Sequence, residues 1–198
     1  MKRILCSLIT ICFAFAITGY SHNTTDIPEK HLLNVVYLSQ NDTKSCATTS
    51  IAMTISYYEN LNDNPLDKET VWNISGANEQ AIYTIGNDME SLRRIADHYG
   101  YTSEFIEGME IIDLERLLSE GIPVMLNIKW EKTGPKTHAI LAIGYDNKKK
   151  IFYTNDPANE EKKTLDYDDL EARWSAHLSV PYGMSYRSGF IVYPKNMN

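Results

Sequence analysis

The apolar pattern of this 198-residue chain changes period at Gly121-Ile122-Pro123, and that change limits what it can fold into. Before it the spacing is helical. Between Cys46 and Tyr58, the residues Ile51, Ile55 and Tyr58 share a face at i, i+4, i+7, with Ala52 beside them. Ser45 or Asp42 is placed to cap the start of that helix. Met89 to Tyr99 repeats the pattern through Leu92, Ile95 and Ala96, with Gly100 as its stop, and Ile112 to Glu120 forms a third helix. After the switch, Val124–Trp130, Thr137–Tyr145, Ile151–Asn155 and Phe190–Tyr193 are rich in β-formers and read as strands. Helices first and strands second describe an α+β fold: a helical part packed on a C-terminal, largely antiparallel sheet. Ahead of all these, Val35–Leu38 reads as a short strand. Residues 60–87 read as loop with one short helix, and Tyr182–Tyr186 as a connection or a loop at a rim.

The chain opens with Met1-Lys2-Arg3, an apolar run from Ile4 to about Ile17, and small residues at Gly19 and Ser21. The run is shorter than the roughly 18 residues of a membrane span. This pattern predicts a bacterial-looking signal peptide over 1–21 and an exported protein, periplasmic or secreted, with no stable membrane association after cleavage. An uncleaved anchor is the alternative. Residues 22–33 read as a flexible lead-in and 34–198 as one domain of a size that can build a real core. The leader carries two basic and no acidic residues, so its removal takes the formal charge from −7 to −9. An acidic domain of this kind is a poor binder of nucleic acid or anionic lipid.

Of the three cysteines, Cys6 and Cys12 lie in the leader and Cys46 is left alone. A lone thiol forms no intramolecular disulfide and cannot build a structural thiolate zinc site, and a thiol hydrolase would need neither metal nor organic cofactor. It is a buried hydrophobe, a link to another chain, or a nucleophile. Its place at the start of a helix suits a nucleophile, because the open N–H groups and dipole there favour a thiolate. A thiol nucleophile needs an imidazole. His22 and His31 fall in the lead-in, His98 among charged helix neighbours, and His177 in an irregular stretch. His138 opens a strand apolar on both faces, where a histidine is held firmly yet reaches a cleft; a satisfied core histidine is the other reading. The next strand runs back to Asp156-Pro157. A turn centred on Asn147 sets Asp156 directly opposite His138, and one centred on Lys148 makes the two diagonal neighbours on one face. Either way the carboxylate can orient the imidazole; taken alone, Asp156-Pro157 is a turn starter. Gln40, six residues before Cys46, is a loop glutamine whose N–H₂ is a candidate donor to an oxyanion.

Four segments together resemble the bacteriocin-processing branch (family 39) of the papain-like cysteine peptidases. They are Gln40-x5-Cys46-Ala47-Thr48-Thr49 with Tyr57-Tyr58; Gly86-Asn87-Asp88 with the helix to Gly100; Leu117-Leu118-x-x-Gly121-Ile122-Pro123; and Thr137-His138-Ala139 with Tyr153-Thr154-Asn155-Asp156-Pro157. The resemblance spans about residues 34–193. It implies a triad of Cys46, His138 and Asp156, an oxyanion hole completed by Gln40, and a peptide or protein substrate. Family members usually carry glycine after the cysteine, where this chain has Ala47. The best-known ones are fused to a membrane transporter, so this chain resembles free-standing, exported relatives. Three functions stay open on the residues: a thiol hydrolase of peptide bonds; an amidase, deamidase or acyl transferase on the same fold; and a binding module that lost turnover.

Overall fold

The computed structural model describes residues 27–41, 44–76, 89–133, 136–158, 160–177 and 184–196. The expected leader, the start of the lead-in, Asp42, all of the Asn60–Asn87 stretch beyond Gly76, and Tyr182 and Gly183 lie outside these. Among the described residues the chain forms five helices and nine strands. Strand β1 is Lys30–Leu32. Helices α1 (Cys46–Tyr58), α2 (Lys68–Ser75) and α3 (Met89–His98) follow, then β2 (Tyr101–Ile106) and α4 (Ile111–Ser119). Strands β3 (Val124–Lys129), β4 (Thr137–Asp146), β5 (Ile151–Asp156) and β6 (Glu160–Asp166) come next. The chain ends with α5 (Tyr167–Arg173), β7 (Ser175–His177), β8 (Met184–Tyr186) and β9 (Gly189–Pro194). The main sheet runs β2-β9-β3-β4-β5-β6, and all its pairings are antiparallel. The α+β expectation holds.

Helix α1 is the centre of the molecule. Every residue from Thr48 to Ser56 is buried, so it is covered on all sides. The sheet strands β4 and β9 pack against it, and α2 and α3 close the remainder. Its polar Thr48, Thr49, Ser50, Thr54 and Ser56 are small, which allows close approach; Thr54 returns its hydroxyl to the Ser50 carbonyl at 3.0 Å. The start falls at Cys46 as the periodicity predicts. Ser45 is the N-cap residue, but its side chain makes no capping bond.

Two sequence expectations change. Val35–Leu38 joins no ladder, and both sides of β4 are already occupied. β3 covers Thr137–Ala142 and β1 covers Gly144–Asp146 on one side, and β5 takes the other. The lead-in read as flexible instead supplies β1, whose His31 pairs with Tyr145, while Leu33 is buried in the core. The charged edge strand β6 and the short β7–β8 pair had no apolar alternation to announce them; Met184–Tyr186 is strand, not loop.

Tyr167 donates its hydroxyl to Glu115 Oε1 at 2.5 Å, and Glu115 is 5 % exposed. Tyr167→Phe removes a donor from a buried carboxylate. The expected loss is about 2 kcal/mol, read as a fall in melting temperature of roughly 4–8 °C for a domain of this size. An unchanged melting temperature would show that the carboxylate is satisfied without that hydroxyl.

Candidate active site

The site forms where α1 begins, against the ends of β4 and β5. Cys46 is the first residue of α1, half-buried, and no acidic side chain occupies the helix's first turn. The first backbone N–H groups of any helix lack a carbonyl four residues back, so this end presents donors and a positive dipole to the sulfur. His138, second in β4, is 4 % exposed and pairs with Ile128 of β3. Its Nε2 lies 2.6 Å from Asp156 Oδ1, at the end of β5. Cys46 is the other group that acts on this imidazole, through a hydrogen bond and its charge.

The register that brings His138 and Asp156 together depends on a β-bulge. Next to the turn, Asp146, Tyr145 and Gly144 pair with Ile151, Phe152 and Tyr153. The register then shifts at Ile143, so that Ala142 pairs with Thr154 and Leu141 with Asn155. One residue further, Asp156 comes level with Ile140, two residues from His138 and on its face. Without the bulge it would come level with Leu141 and turn its carboxylate to the opposite face, since a one-residue slip inverts a strand. Of the two arrangements the sequence allowed, the structure has the diagonal one. The same Oδ1 accepts the Ala158 N–H at 3.0 Å, so Asp156 also serves as the turn starter.

The charges reinforce one another. Burial opposes an imidazolium at His138, but hydrogen bonds to Asp156 and Cys46 and the charges of both outweigh it, pushing the pKa up from 6.5 to about 9. Burial likewise opposes the Asp156 carboxylate. The bond and charge of His138, the Ala158 N–H and the charge of Lys163 outweigh it and hold the group below its ordinary value. The signs follow by linkage. The raised His138 contributes stability that is complete below about pH 6.5 and is lost as pH rises through about 9. The lowered Asp156 contributes stability present above its ordinary 3.8 and lost as pH falls through its depressed value. Both contributions are whole from about pH 4 to 6.5. Any turnover that uses the His138 proton is expected to show an alkaline limb in kcat/KM near 9, and Asp156→Asn to move that limb down toward 6.5. A limb that stays in place in the variant would detach it from this pair.

Gln40 is buried at 5 % exposure. Its backbone N–H donates to Pro157 O at 2.8 Å, and its carbonyl accepts from Lys68 Nζ on α2. The glutamine segment is thereby fixed beside the residue that follows Asp156. Trp130 was not singled out by the sequence. It stands at the β3 end of the turn into β4, its ring centroid 4.5 Å from that of His138 at 62°, and is 43 % exposed. It covers one side of the imidazole and presents the rest of its ring to solvent. Only the pairing of Ile128 with His138 reveals this, since a strand-end tryptophan has no distinctive sequence signal. Among the described residues, no cluster of three or more His, Cys, Asp or Glu is arranged to hold a metal ion, and no helix is long and apolar enough to cross a membrane.

Comparison with solved structures gives the same fold. A C39-like peptidase from Bacillus anthracis, described as putative in its crystal structure, superposes with a TM-score of 0.63 at 19 % identity, over 85 % of this chain and 99 % of that one. A double glycine motif protease from an AMS/PCAT transporter, crystallised with its leader peptide, gives 0.57 at 17 % identity over 83 % and 95 %. The peptidase domain of Streptococcus ComA gives 0.56 at 14 % over 81 % and 99 %. Comparison with curated proteins finds no sequence match. The family model of the C39-like peptidases matches residues 32–180, a span that contains Gln40, Cys46, His138 and Asp156, and the chain therefore belongs to the peptidase C39-like family.

Proposed function

We propose that this chain is a cysteine peptidase that cleaves peptide bonds through an acyl-enzyme on Cys46. The observation that carries this is the shared imidazole: His138 Nε2 lies 2.6 Å from Asp156 Oδ1, and Cys46 acts on the same ring through a hydrogen bond and its charge. In the proposed cycle the thiol proton passes to His138 and the sulfur attacks the scissile carbonyl. The tetrahedral oxyanion is held by the Cys46 N–H and the Gln40 side chain. His138 returns its proton to the leaving amine, and the C–N bond breaks. It then takes a proton from water, which attacks the thioester; the C–S bond breaks, the acid leaves and the proton returns to the sulfur. Asp156 keeps the imidazole in the tautomer and orientation these steps need. A peptide substrate is supported by the related protease whose crystal structure holds its leader peptide. The basic start and short apolar run at 1–17 support an exported enzyme.

The test is incubation of the folded protein with a peptide library, read by mass spectrometry, beside Cys46→Ala. Cleavage products and a trapped acyl adduct on Cys46, both absent from the variant, are expected. Amide-transfer products in place of cleavage would shift the assignment to an acyl transferase. A protein with neither product nor adduct would be a binding module.

A further inference from the structure

Asp156 is flanked by two residues that hold the segment carrying Gln40. Pro157 accepts the Gln40 N–H at 2.8 Å. Asn155, 0 % exposed, donates Nδ2–H to Val35 O at 3.3 Å and accepts the Lys162 N–H on Oδ1 at 3.1 Å. The Leu33 N–H is bonded to Ile143 O at 2.8 Å, at the β4 bulge. The stretch from β1 to Gln40, which belongs to no strand, is thus fixed to β4 and β5 at its start, middle and end.

The carboxamide fits this position for a physical reason. The β5–β6 register shifts between Thr154 and Asp156, and Lys162 there takes φ 49°. The side-chain oxygen of Asn155 takes up its N–H, while the side-chain nitrogen meets a carbonyl of a segment outside the sheet. One group must therefore donate to one side and accept from the other. Leucine has the size but neither function. Aspartate sets an oxygen against the Val35 carbonyl, and in a buried site such an unmatched acceptor is costly.

We infer that Asn155 is a positioning residue for the oxyanion hole: it holds the Gln40 segment in register with the triad through Val35, while Pro157 holds its end. This rests on the reading of Gln40 as an oxyanion donor, and the two are separable by experiment. Iodoacetamide needs only the Cys46–His138 pair, because its displacement forms no oxyanion. A leucine-rich tripeptide aldehyde needs the hole as well. The sulfur adds to its carbonyl carbon, the C=O π bond becomes the oxygen's lone pair, and the His138 proton completes the hemithioacetal.

Both are measured on wild type, Gln40→Ala, Asn155→Ala, Asn155→Asp and the Gln40→Ala/Asn155→Ala double variant, with circular dichroism as the folding check. Removing an oxyanion donor typically costs about 100-fold to 1000-fold. Gln40→Ala is expected to lower aldehyde affinity on that scale. Both Asn155 variants are expected to lower it by about tenfold or more with the alkylation rate held within about twofold. The double variant is expected to fall little below Gln40→Ala alone, because the two act through one donor. Unchanged aldehyde affinity in folded Asn155 variants overturns the inference and leaves Gln40 standing. So do equal losses of alkylation and affinity, or independent losses in the double variant. An unaffected Gln40→Ala, or a wild type that captures no aldehyde, overturns the Gln40 reading and the inference with it.

Discussion

Iodoacetamide alkylation of Cys46 at pH 6 is expected to slow by about 100-fold or more in His138→Ala, and peptide cleavage to fall by roughly 1000-fold or more. In the proposed cycle the imidazole both accepts the thiol proton and donates to the leaving amine, so its loss removes two roles. Asp156 would be left buried beside an empty space, and removing one partner of a buried ion pair typically costs about 3–5 kcal/mol. A loss of activity in a partly unfolded variant would prove little. His138→Gln is therefore made in parallel, since its amide can still donate to Asp156 Oδ1 but cannot accept and return a proton. A folded His138→Gln that keeps fast alkylation at pH 6 would remove His138 from the mechanism. The same two variants test the alkaline limb, which both should abolish.

The second large effect is expected at Gly144, and it is structural. A Cβ built on Gly144 comes within 2.5 Å of His31 O and 2.8 Å of Leu32 Cα. Both are backbone atoms, fixed by the pairing of β1 with Tyr145 and Gly144, so neither yields without moving the strand. Gly144→Ala is expected to cost about 3 kcal/mol, the upper end for overpacking. That corresponds to a melting temperature lower by roughly 6–12 °C. Gly189 is the control. A Cβ there meets Val124 Cγ1 at 2.8 Å and Met109 Sδ at 2.9 Å. These are side-chain atoms, and a methionine re-packs readily. Gly189→Ala should cost about 1 kcal/mol. Equal losses at the two positions would mean that β1 is not held against β4. Because Leu33 is bonded at the bulge, displacing β1 should also weaken aldehyde capture, through the segment that leads to Gln40.

The sequence by itself determined the central helix, its start at Cys46 and the nearness of His138 to Asp156. The i, i+4, i+7 spacing of Ile51, Ile55 and Tyr58 needs only the helical period. A lone cysteine at such a helix start suits a nucleophile, but the sequence left a buried hydrophobe and a link to another chain open beside it. His138 and Asp156 were legible because they end adjacent strands joined by a short polar turn, and pairing across such a turn is local geometry. The α+β order was legible for the same reason, since the change of period marks where helix gives way to strand.

What only the tertiary structure decided is how these pieces register. Nothing in Ala142-Ile143-Gly144 says that Ile143 will be the extra residue. The bulge falls where β1, from the far end of the chain, closes on Gly144 more tightly than any side chain permits. The bulge sets the parity of β5 and so decides which face Asp156 takes. Val35–Leu38 has strand composition, yet the ladder positions beside β4 are filled by β1, β3 and β5, so the segment crosses the fold and is held by Asn155 instead. β6 is as charged as a loop because it is an edge strand, and its pairing with β5 is made by backbone groups that composition does not record. Periodicity is a property of neighbours in sequence. The site was assembled by contacts between β1, the Gln40 segment and β5, whose partners are more than a hundred residues apart, and those are fixed only when the backbone hydrogen bonds of the whole sheet are satisfied together.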